Sequence, residues 1–183
     1  MGWTKEVYLL PEDHGWSARP GHEIVVLDAG AVVLEFPEGW FVGPGAGHIE
    51  IRDGANLEAS TCVLAVSYLR LPDRDWSDLP LSHLLGVAAE GDDRERIATS
   101  PRVEAARDGV ELAWAELRVV DPGERRESRS RVCIARSRRM QCLITFDFWP
   151  EDAERHEPVW GAVLSSLELG VEVADPTLGR RVE

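Results

Sequence analysis

From Arg118 to Arg139 the chain carries eight arginines against three acids, Asp121, Glu124 and Glu127. That stretch is +5 within a chain of formal net charge −13, which leaves −18 on the rest. Guanidinium forks grip carboxylates and phosphates through paired hydrogen bonds. Arg129 and Arg131 share one strand face, and Arg138 and Arg139 fall at a hairpin tip, so these four are candidates for holding an anionic partner or ligand. The competing and favoured reading is a solvated edge whose charge discourages strand-to-strand aggregation. Seven tryptophans, against four phenylalanines and two tyrosines, are the second candidate group. Tryptophan suits partner surfaces because it is large, rigid and carries one polar N–H. Trp149 has the opposite parity to Phe146 and Phe148, so it either faces outward, where it is a candidate for a partner surface, or packs under a second layer. Trp114 alternates with Leu112 and reads as core; burial or rim packing is the favoured reading for most of the others.

Patterns for catalysis are missing. The chain has no G-x-S-x-G elbow, no H-E-x-x-H, no C-x-x-C and no phosphate-binding loop. The glycines from Gly43 to Gly47 are interrupted by Pro44 and lead into a strand, which makes a poor phosphate cradle. Asp73 and Asp75 start like a calcium loop, but Asp78 replaces the turn glycine and Leu84 the closing glutamate. His14, His22, His48, His83 and His156 have no ligand spacing. No metal and no cofactor is expected, and the reading is of a non-enzyme.

The elements that must position these residues centre on residues 131–167. Met140, Cys142, Ile144, Phe146 and Phe148 alternate with Gln141, Thr145 and Asp147, the period of a half-buried strand, with Leu143 and Trp149 as exceptions. A three-residue connection, Ser137-Arg138-Arg139, sets Ile134 opposite Cys142 and Val132 opposite Ile144, so that the apolar faces coincide. A helix follows Pro150, with Glu151, Asp152 and Glu154 near its N-terminus and a stripe of His156, Val159, Trp160, Val163, Leu164 and Leu167. Pro158 predicts a kink or restart, and Gly170 a stop. Upstream, Lys5–Leu10 reads as a short strand, Glu23–Asp28 and Ala31–Phe36 as a hairpin, His48–Arg52 as a strand, and Glu58–Leu71 as a central strand. Asp78 is placed to cap a helix over 79–90 with Leu81, Leu84, Leu85 and Ala88 inward. Gly91–Glu95 is a charged loop, and strands over 102–107 and 110–120 complete the meander. The predicted fold class is α+β: an antiparallel β-sheet meander with helices packed on it.

The length of 183 residues suits one domain, with the core at about 23–169 and residues 1–22 and 170–183 peripheral. The acidic charge excludes general affinity for nucleic acid or anionic membranes. No run is long enough to insert in a membrane and no basic-then-apolar leader is present, so a cytoplasmic location is expected. Met1-Gly2 looks like a myristoylation start, but Glu6 occupies the position that needs Ser or Thr. Three cysteines cannot form a disulfide framework; the hairpin register puts Cys133 and Cys142 on opposite faces, and reduced, packed thiols are expected.

The order of these signals, with Phe36-Pro37-Glu38-Gly39-Trp40 closing an early strand and Val163-Leu164-Ser165-Ser166-Leu167 closing the last helix, resembles the PsbP-like α/β/α sandwich superfamily. The likeness runs from Glu23 to Leu169. That group includes photosystem II extrinsic subunits, a Ran-binding nuclear-transport factor and bacterial DcrB-type proteins, and this chain is similar to a cytoplasmic member of the last kind. The resemblance implies protein binding or chaperoning, in some members of secretion effectors, without shared catalytic residues. The leading expectation is therefore a non-enzymatic adaptor or chaperone-like module for a secreted effector or an assembly subunit, contacting another protein through Arg129, Arg131, Arg138, Arg139 and Trp149. A homodimer through an edge strand is compatible with it. The alternatives are a small-molecule binder or enzyme with a pocket between sheet and helix, and a structural subunit of a larger assembly.

Overall fold

The protein is described from a computed structural model over residues 4–55 and 59–181, with Arg180 and Arg181 described by their backbone. The Met1-Gly2 start and Glu58, the first residue of the expected central strand, lie outside the described residues.

Eight alternating segments form one antiparallel sheet. They are β3 (Phe41–Pro44), β4 (Ile49–Arg52), β5 (Cys62–Arg70), β6 (Arg96–Thr99), β7 (Val103–Arg107), β8 (Val110–Val120), β9 (Glu127–Arg136) and β10 (Met140–Phe148). Their order is β3-β4-β5-β10-β9-β8-β6, and β7 pairs with the first half of β8 while β6 pairs with the second. A smaller sheet joins β1 (His22–Leu27), β2 (Val32–Pro37) and β11 (Glu168–Leu169), and β12 (Val173–Asp175) pairs with β13 (Arg180–Arg181). The β1–β2 connection turns through Asp28, Ala29 and Gly30, all at positive φ. Gly30 is obligatory there, because a Cβ would lie 1.8 Å from the Val171 carbonyl oxygen.

Two helices, α1 (Leu81–Glu90) and α2 (Ala153–Ser166), cover opposite faces of the large sheet. The even residues of β10 point at α2, where Phe146 stacks on Trp160 with ring centroids 6.2 Å apart and planes at 14°. Trp160 also meets the edge of Trp114 at 5.6 Å. The stripe His156, Val159, Trp160, Val163 and Leu167 is buried, with Leu164 half-buried beside it. Each fully buried large apolar side chain contributes about 1.5–3 kcal/mol. On the other face Leu81 and Leu85 of α1 bury Ala113, Ala115, Leu117, Val132 and Ile134, with Leu84, Ala88 and Leu143 packed around them. Leu143 thus breaks the alternation of β10 because a second layer covers its side.

The hairpin register differs from the expectation by one residue. Met140 is taken up in the turn, where its carbonyl accepts the Ser137 N–H at 2.8 Å, so pairing starts at Gln141 with Arg136. Cys142 then faces Ala135 and Ile144 faces Cys133, while Val132 and Ile134 turn to α1. Strand β9 is buried continuously from Ser130 to Arg136, so its apolar residues cannot select one register over the other. As a consequence Cys133 and Cys142 share the α2 face rather than lying on opposite ones.

Other differences have local causes. Residues 5–10 pair with no strand: Lys5 Nζ donates to the Val42 carbonyl at 3.2 Å, and Val7 and Leu9 are 83% and 98% exposed. Helix α1 begins after Pro80, whose φ of −60° suits a helix start, so Asp78 stands too early to cap it. Helix α2 runs through Pro158 without a restart, since Pro158 and Glu154 are both exposed and water can reach the carbonyl left unbonded. Strand β6, directly after the expected charged loop and in a stretch with no expected element, forms because the long β8 offers it an edge. Strand β3 likewise forms on the edge of β4, taking in Gly43 and Pro44 of the glycine-rich stretch.

Candidate functional site

The five residues singled out in the sequence do not form one surface. Arg129 and Arg131 lie on the α2 face of β9, opposite Phe148 and Phe146. Arg131 is buried: its Nε donates to Glu116 Oε2 at 2.9 Å and its Nη2 to Glu157 Oε2 of α2 at 2.5 Å. Its guanidinium rests 5.2 Å from the Phe148 ring centre and 5.8 Å from that of Trp114. Arg129 Nη1 donates to the second oxygen of the same Glu116, at 3.1 Å. The result is a charged clamp that ties β8, β9 and α2 together. Trp149 is half-buried at the far end of β10, under Arg126, whose guanidinium carbon is 3.7 Å from the ring centre and which pairs with Glu151 at 2.7 Å. Arg138 and Arg139 lie at the other end of β10, roughly 25–30 Å away at about 3.3 Å per strand residue. The positive stretch read from the sequence is thus largely met by acids brought from elsewhere, including Glu111, Glu116 and Asp73.

The Arg138 end opens into a solvent-open cleft of about 950 Å³. Three turns form its walls: the 73–77 loop, the β7–β8 turn around Asp108-Gly109, and the β9–β10 turn. Arg136 Nη1 donates to the Leu79 carbonyl at 2.8 Å and Nη2 to Glu111 at 3.2 Å. Arg138 forks onto Asp73 at 3.0 and 3.3 Å, with Arg139 3.9 Å from the same carboxylate. Arg107 donates to the Leu164 and Leu167 carbonyls at the end of α2, at 2.6 and 3.0 Å. Arg74 lies over Trp76, its guanidinium carbon 3.7 Å from the ring centre. Arg74 and Trp76 were not singled out by sequence reasoning, and Asp73 was weighed only as the start of a calcium loop. The available signal was a lone aromatic beside an arginine in an otherwise polar loop.

The three thiols and one histidine are enclosed. Cys62, Cys133 and Cys142 are free and buried, and burial pushes all three thiols up, Cys142 to about 12. Thiols held this way are inert as nucleophiles. His156 is buried among Phe146, Phe148 and Trp40, with ring centroids 5.2, 5.4 and 6.2 Å away. Burial, then the Arg155 guanidinium, lowers its proton affinity. Beside it Asp53 accepts the Thr61 hydroxyl at 2.6 Å and the Thr61 N–H at 2.8 Å, which closes the β4–β5 connection. Among the described residues no three His, Cys, Asp or Glu side chains are grouped to hold a metal.

An antiparallel sheet with one helix on each face and a small sheet beside the closing helix is the PsbP-like fold. The chain superposes on cyanobacterial PsbP (CyanoP) of Synechocystis with a TM-score of 0.53 at 19% identity, covering 85% of this chain and 96% of that one. For LpqN of Mycobacterium tuberculosis, a protein involved in cell envelope biogenesis, the TM-score is 0.54 at 11% identity, over 80% and 88%. For the Saccharomyces cerevisiae Ran-binding protein Mog1p it is 0.50 at 12%, over 86% and 97%. Within this fold the chain belongs to the Alr1449 family, whose model matches residues 23–173. It is 38% identical to protein alr1449 of Nostoc sp. over 180 residues, covering 98% of this chain and 93% of that one.

Proposed function

We propose that this chain is a non-enzymatic protein-binding module of the cytoplasm, an adaptor or chaperone-like carrier for a secreted effector or an assembly subunit, and that the cleft receives a segment of its partner. The make-up of the cleft carries the reading: about 950 Å³ of open space whose walls alternate cations and anions around one tryptophan. Small-molecule sites are typically concave and mainly apolar, with a few convergent polar groups. Here Arg136 and Arg138 already hold carboxylates, so they frame the walls rather than converge on one point. A polypeptide segment, with its own charges and backbone groups, suits such a surface. The likeness to the Ran-binding Mog1p supports a protein as partner, and the net charge of −13 disfavours nucleic acid. In this reading Arg138 and Arg139 meet the partner, Arg129 and Trp149 offer a second contact at the far end of β10, and Arg131 holds the face beneath α2. The chain acts as one domain, and self-association is a secondary arrangement of it.

The test is affinity purification of the tagged full chain from its native cell, identification of what co-elutes, and rebinding of the purified partner. Trp76→Ala and Arg138→Glu should release the partner with the melting temperature unchanged, while Val87→Ser on exposed α1 should retain it. Equal retention by all three variants would refute a role for the cleft.

A further inference from the structure

Within the cleft one cation is positioned but unmatched. The 73–77 loop is braced by its own hydrogen bonds: Trp76 Nε1 donates to the Pro72 carbonyl at 3.1 Å, and Asp75 Oδ1 accepts the Ser77 N–H at 2.9 Å. The indole so fixed carries Arg74 on its face at 3.7 Å. Stacking uses the flat face of a guanidinium and leaves the N–H groups along its edge pointing outward. The other three arginines lining the cleft are committed, Arg107 to the carbonyls ending α2, Arg136 to Leu79 and Glu111, and Arg138 to Asp73. Three of the four lining acids are committed in the same way: Asp73 lies between Arg138 and Arg139, Glu111 meets Arg136, and Asp75 turns back to Ser77, while Asp108 stands 3.8 Å from Arg107 at the exposed β7–β8 turn. Arg74 forms no hydrogen bond or ion pair with any described residue.

We infer that Arg74, pre-oriented on Trp76, is the anchor that takes the carboxylate of an acidic side chain on the partner segment. This rests on the protein-binding reading of the cleft and names the chemistry it selects. Ring and guanidinium are held before the partner arrives, so little side-chain freedom is lost when two parallel N–H···O bonds form. The cleft is open to solvent, so a segment can lie along it with its acid presented as a side chain.

The experiment uses the full chain labelled with nitrogen-15, following the Trp76 indole N–H and the Arg74 Nε–H signals. The probe is an acetylated and amidated pentapeptide, Gly-Glu-Gly-Glu-Gly. Three further arms use its Gln counterpart, an acetylated pentaglycine with a free terminal carboxylate, and inorganic phosphate. Saturable shifts of both signals with the Glu peptide alone, weakened roughly tenfold in Arg74→Gln and less in Arg74→Lys, are expected. Equal response to the Gln peptide, response only to the free terminus or to phosphate, or wild-type affinity in Arg74→Gln would each overturn the inference. If it is overturned while Trp76→Ala still releases the purified partner, the cleft remains a protein site of other chemistry. If the cleft variants also retain the partner, the protein-binding reading falls as well.

Discussion

Truncating Arg131 to alanine separates a structural arginine from a partner-binding one. The wild-type side chain is 6% exposed and holds two carboxylates of unequal standing. Glu116 is 16% exposed and central to the clamp, whereas Glu157 is 66% exposed and pairs near water. Removing one member of a fully buried pair costs about 3–5 kcal/mol, while an exposed pair is worth about 0–1 kcal/mol. Glu116 keeps Arg129 at 3.1 Å, so its charge is not stranded completely. Arg131→Ala is therefore expected to lose about 2–4 kcal/mol, including the stem's packing on Trp114 and Phe148. Arg131→Met restores that stem and should lose about 1–2 kcal/mol, and Glu157→Gln less than about 1 kcal/mol. Urea unfolding of the full chain followed by far-UV circular dichroism measures all three. Arg138→Glu, at a side chain 77% exposed, is the control and should shift stability by less than about 0.5 kcal/mol. Wild-type stability in Arg131→Ala, or equal losses in Arg131→Ala and Glu157→Gln, would refute the ranking by burial.

Trp160→Ala should lose about 3–5 kcal/mol by the same assay, as a cavity opens between Phe146 and Trp114. Trp160→Phe should lose about 1–2 kcal/mol, because the smaller ring also removes an indole N–H that is buried without a partner among the described residues; equal losses would mean the α2 face is loosely packed. Stability should also fall with acid through His156. Its folded proton affinity lies below the ordinary 6.5, from burial first and Arg155 second; Arg131 adds to this, and Asp152 and Asp53 oppose it. Between 6.5 and the folded value the unfolded chain binds more protons, so this contribution is intact above 6.5 and is lost as pH falls through that window. His156→Phe should flatten that part of the urea-midpoint profile, and an unchanged slope would exclude His156 as its source.

The elements around β10 were legible because one neighbour dominates each. The alternation of Met140 to Phe148 and the stripe from His156 to Leu167 each record one packed face, and both are buried as read except at Leu164, which is half-buried. The β9 register was not legible, because Ser130 to Arg136 is buried on both sides and a turn bond from Ser137 to Met140 decides the pairing. Strand β6 and the unpaired state of residues 5–10 depend on whether an edge is within reach, which no local pattern encodes. The candidate site divides in the same way. Arg138 and Arg139 could be placed at a hairpin tip by counting residues, but their Asp73 partner lies 65 residues from Arg138.

Sequence alone determined the sign and unevenness of the charge, the antiparallel meander and the closing helix, since these follow from composition and from periods of two and 3.6 residues. Tertiary structure alone decided which charges were spent. An arginine's environment depends on acids delivered by distant strands, so Arg131 became a buried clamp, Arg138 a rim pair, and Arg74, inconspicuous in the chain, the cleft's unmatched cation.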